Sequence, residues 1–323
     1  MHMNKLLALC AAVVVFAGGY SHSDAQSVIE RPTYLGKTGL SYSVGIQRFI
    51  NSFSSYQFPN PFPPEQDPLS RLEFPIDQWF FGLMSGITAP CWELTGQLWF
   101  NLNQESALKM QDSDWDDEFR PSQKTIFSES QCRLDRGILV DVGLSFSTSL
   151  ERFVGMRPVT GLRHQYFKFT THDGVQWDLS GHLMDLPGDG IEFRQTFYHL
   201  YLGAGFARTL FLQGIDSRRT PLNLGGQVDY ALVWAGNEDL HLLRSGNRIT
   251  EEDTRGHCWH VSAWLDLFLR DSFKLKAVGD FKRVVTDGSH RLSNSVIALD
   301  FSFDGSRVWS DQATVSAVAE LTF

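Results

Sequence analysis

From Thr38 onward, apolar and polar residues alternate with a period of two in one segment after another. Successive side chains of a strand point to opposite faces, so this is the pattern of strands that are wet on one side and greasy on the other. Ile138, Val140, Val142, Leu144 and Phe146 alternate with Leu139, Asp141, Gly143, Ser145 and Ser147. Tyr198, Leu200, Leu202, Ala204 and Phe206 are set against His199, Tyr201, Gly203 and Gly205. Val261, Ala263, Leu265, Leu267 and Leu269 are set against Ser262, Trp264, Asp266 and Phe268. The last residues repeat the pattern, Val315 to Phe323 against Thr314 to Thr322. No helical period stands out. The alternation predicts ten strands, at 38–53, 69–87, 91–105, 132–147, 151–170, 191–209, 221–236, 257–270, 273–287 and 312–323.

Small and polar residues on one side with bulky apolar residues on the other is what a lipid-facing wall around a polar lumen requires. A soluble β-sandwich, where the same alternation faces a shared core, is the competing architecture. Strand length and the terminal Phe323 favour the membrane form. The expected fold is therefore all-β, a ten-stranded antiparallel transmembrane β-barrel. Its periplasmic turns are short, as at Thr148 to Leu150 and Asp271 to Ser272, and its outer loops are long and polar.

The first residues strengthen that expectation. Met1 to Lys5, the apolar run Leu6 to Gly19 and the small-residue site Ser23-Asp24-Ala25 read as a signal peptide over 1–25, which leaves 26–323 as the barrel. No later stretch offers about 18 uncharged apolar residues in succession, so no transmembrane helix is expected. Aromatic residues at 13% with charged residues at 20% suit a bilayer-embedded sheet, and a net charge of -9 argues against a nucleic-acid partner. Cys91, Cys132 and Cys258 remain after the leader; Cys91 and Cys132 could pair, but spacing does not decide it. His257, Cys258 and His260 lack a second ligand cluster, so they read as lumen or girdle residues and no metal is expected.

Two short stretches carry candidate chemistry. In Asp112-Ser113-Asp114-Trp115, carboxylates one residue apart point to the same side of an extended segment and can share one proton or one water. The surrounding acidic run, through Asp116, Asp117 and Glu118, is equally what a solvated loop or half of a calcium loop presents. Further on, Asp239-Leu240-His241 repeats the one-apart spacing. A carboxylate beside an imidazole orients it, fixes its tautomer and raises its pKa, as a general base near neutrality needs. Both stretches are expected in loops, after the third and seventh strands, and hence at one outer mouth.

With these motifs the chain resembles the omptin family of outer-membrane proteases. The resemblance rests on the ten strands, Ser70-Arg71-Leu72-Glu73, Asp112-Ser113-Asp114-Trp115, Asn223-Leu224-Gly225-Gly226, Asp239-Leu240-His241, Asn247-Arg248-Ile249-Thr250 and Phe323. It implies an endopeptidase of aspartic type that attacks with water rather than a side chain. Asp239 would orient His241, and His241 would take a proton from a water held against the Asp112 and Asp114 couple, with no metal or other cofactor. The implied setting is the bacterial outer membrane, the active site facing outside, a peptide or protein substrate, a monomer, and lipopolysaccharide as a candidate activating lipid. The family's acidic pocket positions fall on Phe53 and Asn237, so the acids that select basic side chains are absent there. Its lipid-binding cluster falls on Leu162 to Lys168, where Arg163 and Lys168 are the available cations. The rival reading is a catalytically altered barrel that serves as an adhesin or surface-binding protein.

Overall fold

The computed structural model of this chain describes residues 38–63, 65–147, 155–213, 219–244, 246 and 248–323, and only the backbone at 212, 213, 219 and 220. The expected signal peptide, the turn at Thr148 to Leu150 and Asn247 lie outside the described residues. Thirteen strand segments form, in order β1 Gly39–Phe49, β2 Phe53–Phe58, β3 Ser70–Pro75, β4 Trp79–Thr88, β5 Trp92–Asn101, β6 Met110–Asp114, β7 Ile126–Phe146, β8 Met156–Asp178, β9 Leu183–Gln213, β10 Arg219–His241, β11 Arg248–Arg270, β12 Phe273–Asn294 and β13 Leu299–Thr322. Every neighbouring pair is antiparallel, and the sheet closes because β13 pairs with β12 on one side and with β1 and β2 on the other.

Three staves of this cylinder are each made of two segments, so thirteen segments give ten strands: β1 with β2, β3 with β4, and β5 with β6. Local chemistry makes the breaks. Asn51 takes a left-handed φ of 47°, and the Ser52 hydroxyl bonds the Ala313 carbonyl at 3.2 Å and accepts from the Ala313 amide at 2.9 Å. It replaces the ladder bonds lost there. Pro75, which has no N–H to donate, ends β3 just before the second break.

The expected ten-strand barrel is therefore what forms, but the strands run further than the sequence reading placed them. β10 continues to His241 rather than stopping at 236, β11 begins at Arg248 rather than 257, and β7 begins at Ile126 rather than 132. On the outward face the apolar half of the alternation ends near Trp234 and Trp259, and Glu238, Glu251, Asp253 and Arg255 take over. The hydrogen-bond ladder continues through these charged residues, while the hydrophobic signal does not. The outward band below that level carries exposed Leu40, Val44, Ile46, Tyr230, Leu232 and Leu265, as a wall solvated by lipid does.

The lumen is filled. Phe49, Phe74, Phe80, Phe167, Phe169, Phe193 and Phe197 point inward and are fully buried, with Phe74 stacked on Phe193 at 4.1 Å. Deeper in the barrel Arg163 donates to both oxygens of Asp229 at 2.7 and 2.8 Å and to Asp141 at 2.6 Å, while His260 bridges Asp229 and Asp280 at 2.6 Å each. Arg163 thus belongs to the interior and is unavailable to lipid. Lys168 faces outward, 3.1 Å from Glu192. Gly225 provides the space for Trp264: an added Cβ would come within 2.3 Å of the indole ring. Cys91 is exposed, Cys132 and Cys258 are buried, and all three are free thiols.

Candidate active site

β6 is held between β3 and β7, with Asp112 opposite Leu72 and Ser128, and Asp114 opposite Ser70 and Ile126. The Asp-x-Asp run is therefore a strand and not the loop expected from sequence, because two neighbours saturate its backbone. Asp112 and Asp114 share the lumen side with buried Leu72. Trp115 turns the other way and packs under two cations, with Arg71 and Lys124 each 5.5 Å from its ring. It anchors the outside of the rim rather than facing the site.

Asp239 and His241 likewise close strand β10 instead of occupying a loop. Asp239 is paired with Thr250 and Phe193, and His241 with Arg248 and Ile191. Along β10 the odd positions face inward, so Asn237, Asp239 and His241 line the lumen above the lipid band that ends at Trp234. This is the end of the barrel remote from the paired termini, where Leu40 bonds Phe323. Asp112 and Asp114 occupy the same end. Segments well over a hundred residues apart in sequence thus meet at one mouth.

His241 Nε2 lies 3.5 Å from Asp239 Oδ1, and that oxygen is buried without a hydrogen-bond partner. The other oxygen, Oδ2, accepts a hydrogen bond from the Tyr56 hydroxyl, which reaches across the mouth from β2. Tyr56 is itself fully buried and stacked on Phe193 at 5.5 Å. Beside this pair, Glu252 accepts from His290 Nδ1 at 2.8 Å through Oε1, while its Oε2 is buried and unpartnered. The ring of His290 is flanked by Phe58 at 4.1 Å and Phe303 at 4.9 Å.

Burial dominates the electrostatics. It drives the Asp112 carboxyl well above the usual carboxylate range, with repulsion from Asp114 and Asp239 adding to the effect and Arg244 and Arg248 opposing it. Burial raises Asp114 as well, against the same two arginines. The Asp239 carboxyl is pushed up to about 7 by burial, partly offset by the Tyr56 hydrogen bond and by Arg248. Burial pushes His241 down to about 3, with Arg248 and Arg244 adding to it. The sequence reading expected Asp239 to raise the imidazole pKa; desolvation of the ring outweighs that attraction. The resting site holds a neutral imidazole among carboxyls that cannot all ionise together.

The two expected pocket residues separate. Asn237 is 5% exposed on the lumen face, its amide atoms lack hydrogen-bond partners, and its strand neighbour is Glu252. Phe53 pairs with Asp311 and Pro75 and lies on the opposite face from Ser54 and Tyr56, which reach into the lumen toward Gln195 and Asp239. Period-two alternation carries it out of the pocket. Tyr56, Glu252 and His290 sit in no motif of the sequence, and Arg248 stands in Asn247-Arg248-Ile249-Thr250 with no chemical role attached; only the register of the closed barrel brings the four in. Among the described residues no group of three or more His, Cys, Asp or Glu is arranged to hold a metal ion.

A sequence model described as the omptin family matches residues 76–288, a span that contains all four candidate catalytic residues. No curated protein matches the chain by sequence. Among solved structures, the outer membrane protease OmpT from Escherichia coli superposes with a TM-score of 0.74 at 15% identity, over 88% of this chain and 97% of that one. That likeness is one of fold. The translocator domain of the autotransporter NalP from Neisseria meningitidis gives a TM-score of 0.35 at 10% identity, over 100% of this chain and 96% of that one, too low to bear on the site.

Proposed function

The chain belongs to the omptin family of outer-membrane proteases, and from that premise we propose that it is an endopeptidase which hydrolyses peptide bonds with a water activated between two acid-bearing segments at the barrel mouth. His241 is the general base. Its neutral ring is available to accept a proton from water, and Asp239, once ionised, steadies the imidazolium that results. Asp112 and Asp114 hold that water, sharing one proton, and hand the proton toward the departing amine. The mechanism is thus of aspartic type and calls on no cofactor.

One observation carries this reading: Asp112 and Asp114 on β6 and Asp239 and His241 on β10 occupy the same face of the same end of a filled barrel, with Asp239 and His241 in contact at 3.5 Å. Catalytic contacts of substrate-free enzymes are often long and tighten on binding. The mouth is assigned to the outside of the outer membrane, where peptide or protein substrates arrive, and the protein acts as a monomer. Lipopolysaccharide is the candidate activating lipid; Lys168 and Arg194, paired with Glu192 and Glu238 on the outward face, are the cations that would meet it.

Substrate selection is assigned to Asn237 together with Glu252. A carboxylate with one free oxygen at the side of the pocket replaces the acid that the family carries at the position of Asn237.

The uncharged Asn237 in place of an acid favours the second reading, a catalytically altered barrel that binds surfaces without cleaving them. Incubating the refolded protein with a peptide library and weighing the products separates the two. The protease reading expects defined cuts that vanish in His241→Ala; an intact library with the wild-type protein supports the binding protein instead.

A further inference from the structure

The four candidate catalytic groups leave one requirement of peptide hydrolysis unmet. Attack of water on a carbonyl builds negative charge on its oxygen, and preorganised positive charge at that point is commonly the largest contribution to lowering the barrier. Asp112, Asp114 and Asp239 offer only carboxyls, and ionised carboxylates would repel the developing oxyanion.

Arg248 is placed to answer this. It opens β11 directly opposite His241 in the ladder, and it shares the inward face with Thr250, Glu252 and Thr254. Its Nε is buried and has no hydrogen-bond partner, and among the described residues no carboxylate lies within ion-pair distance of its guanidinium. Its charge is nevertheless felt by Asp112, Asp114, Asp239 and His241 alike. A half-buried arginine whose buried Nε has no partner stands beside the catalytic groups with donors free for a substrate.

We propose that the Arg248 guanidinium is the electrophilic group of the site, donating to the carbonyl oxygen of the scissile bond and to the oxyanion that forms there. This rests on the protease reading above. When His241 removes a proton from water, the new C–O bond forms, the carbonyl π electrons move to oxygen, and Arg248 holds that charge until the C–N bond breaks and the amine leaves with a proton. The guanidinium keeps its own proton throughout. Arg244, in the turn that joins β10 to β11, is exposed and is left with long-range attraction only.

The test compares wild type, Arg248→Lys and Arg248→Ala, each refolded in detergent with its barrel verified by circular dichroism, on one peptide that wild type cleaves. Arg248→Ala should lose about 10²- to 10³-fold in kcat with KM changed only a few-fold, as for other single oxyanion donors. Added guanidinium ion should restore part of that loss, and Arg248→Lys should fall between the two. A variant that keeps its plateau kcat while its pH profile moves would assign Arg248 to tuning the acids and overturn the proposal. So would a folded Arg248→Ala protein that guanidinium does not rescue. A wild-type protein that cleaves no peptide overturns the protease reading itself and this proposal with it.

Discussion

Tyr56 and Asp239 are joined by a hydrogen bond that crosses the barrel mouth, from β2 to a strand four staves away around the wall. The phenol donates to the carboxyl whose other oxygen faces His241. This bond stabilises the ionised form of Asp239 against its burial. Hydrogen bonds to charged groups contribute roughly 1.5–3 kcal/mol, and 1.36 kcal/mol corresponds to one pKa unit. Tyr56→Phe should therefore move the pH at which cleavage switches on upward by about one unit or more. The pH dependence of kcat/KM for the two proteins checks this; an unmoved profile would leave Tyr56 with a packing role only.

The wild-type profile itself follows from two shifts of opposite sign. Burial holds His241 neutral down to about 3, so the base is already available across the ordinary range and contributes no acidic limb near 6. Asp239, pushed up to about 7, ionises only as the pH rises through that value. Activity should rise along a limb near 7 that belongs to Asp239. In Asp239→Asn the limb should disappear and the rate fall by about 10²- to 10⁴-fold, the usual worth of acid–base assistance.

The same carboxyl makes the fold pH-sensitive. Its pKa in the folded chain is above the ordinary 3.8, so its stabilising contribution is complete below that value and is lost as the pH rises through about 7. At pH 8 the uncompensated cost is on the order of 4 kcal/mol. Asp239→Asn should resist denaturant better than wild type at pH 8 and show no such advantage at pH 4, measured by unfolding in detergent micelles.

Glu252 gives a prediction about substrate choice. With Oε1 bonded to His290 and Oε2 free beside Asn237, it can accept from a cationic side chain. Glu252→Gln should reduce cleavage after Lys or Arg by roughly 10²-fold while sparing uncharged sites, since a buried carboxylate meeting a cation discriminates far better than apolar fit. Equal loss at all sites would place Glu252 outside the pocket.

Deeper in the lumen, Arg163 neutralises Asp229 and Asp141 and lies 3.9 Å from the Tyr201 ring. Arg163→Ala strands two carboxylates in a filled interior and should destabilise the barrel by about 3–5 kcal/mol, read as a lower denaturant midpoint.

The period-two pattern was enough to read the cylinder, since lipid outside and packed lumen inside force every second residue to differ. It fails where the outward residues become charged: Glu238, Glu251 and Arg255 hide the upper parts of β10 and β11, which puts Asp239 in an expected loop, while the five-residue β6, set in the acidic run, is too short to show the alternation around Asp112. The two acidic motifs were legible because one-apart spacing on a strand puts side chains on one face. Tyr56, Glu252 and His290 were not, nor was a role for Arg248 within its motif, because what unites them is the pairing register of distant strands. Phe53 was misplaced for the same reason: counting along the sequence does not reveal which face a residue takes after the break at Asn51.

The central claim is that the β6 carboxyls and the β10 imidazole act on one water as a unit. A double-mutant cycle on kcat, with Asp112→Asn, His241→Ala and the two combined, tests it most directly. Groups that act as a unit are strongly non-additive, so the account predicts that the double variant cleaves no more slowly than the slower single one. Full additivity of the two losses, or substantial cleavage by either single variant, would contradict it.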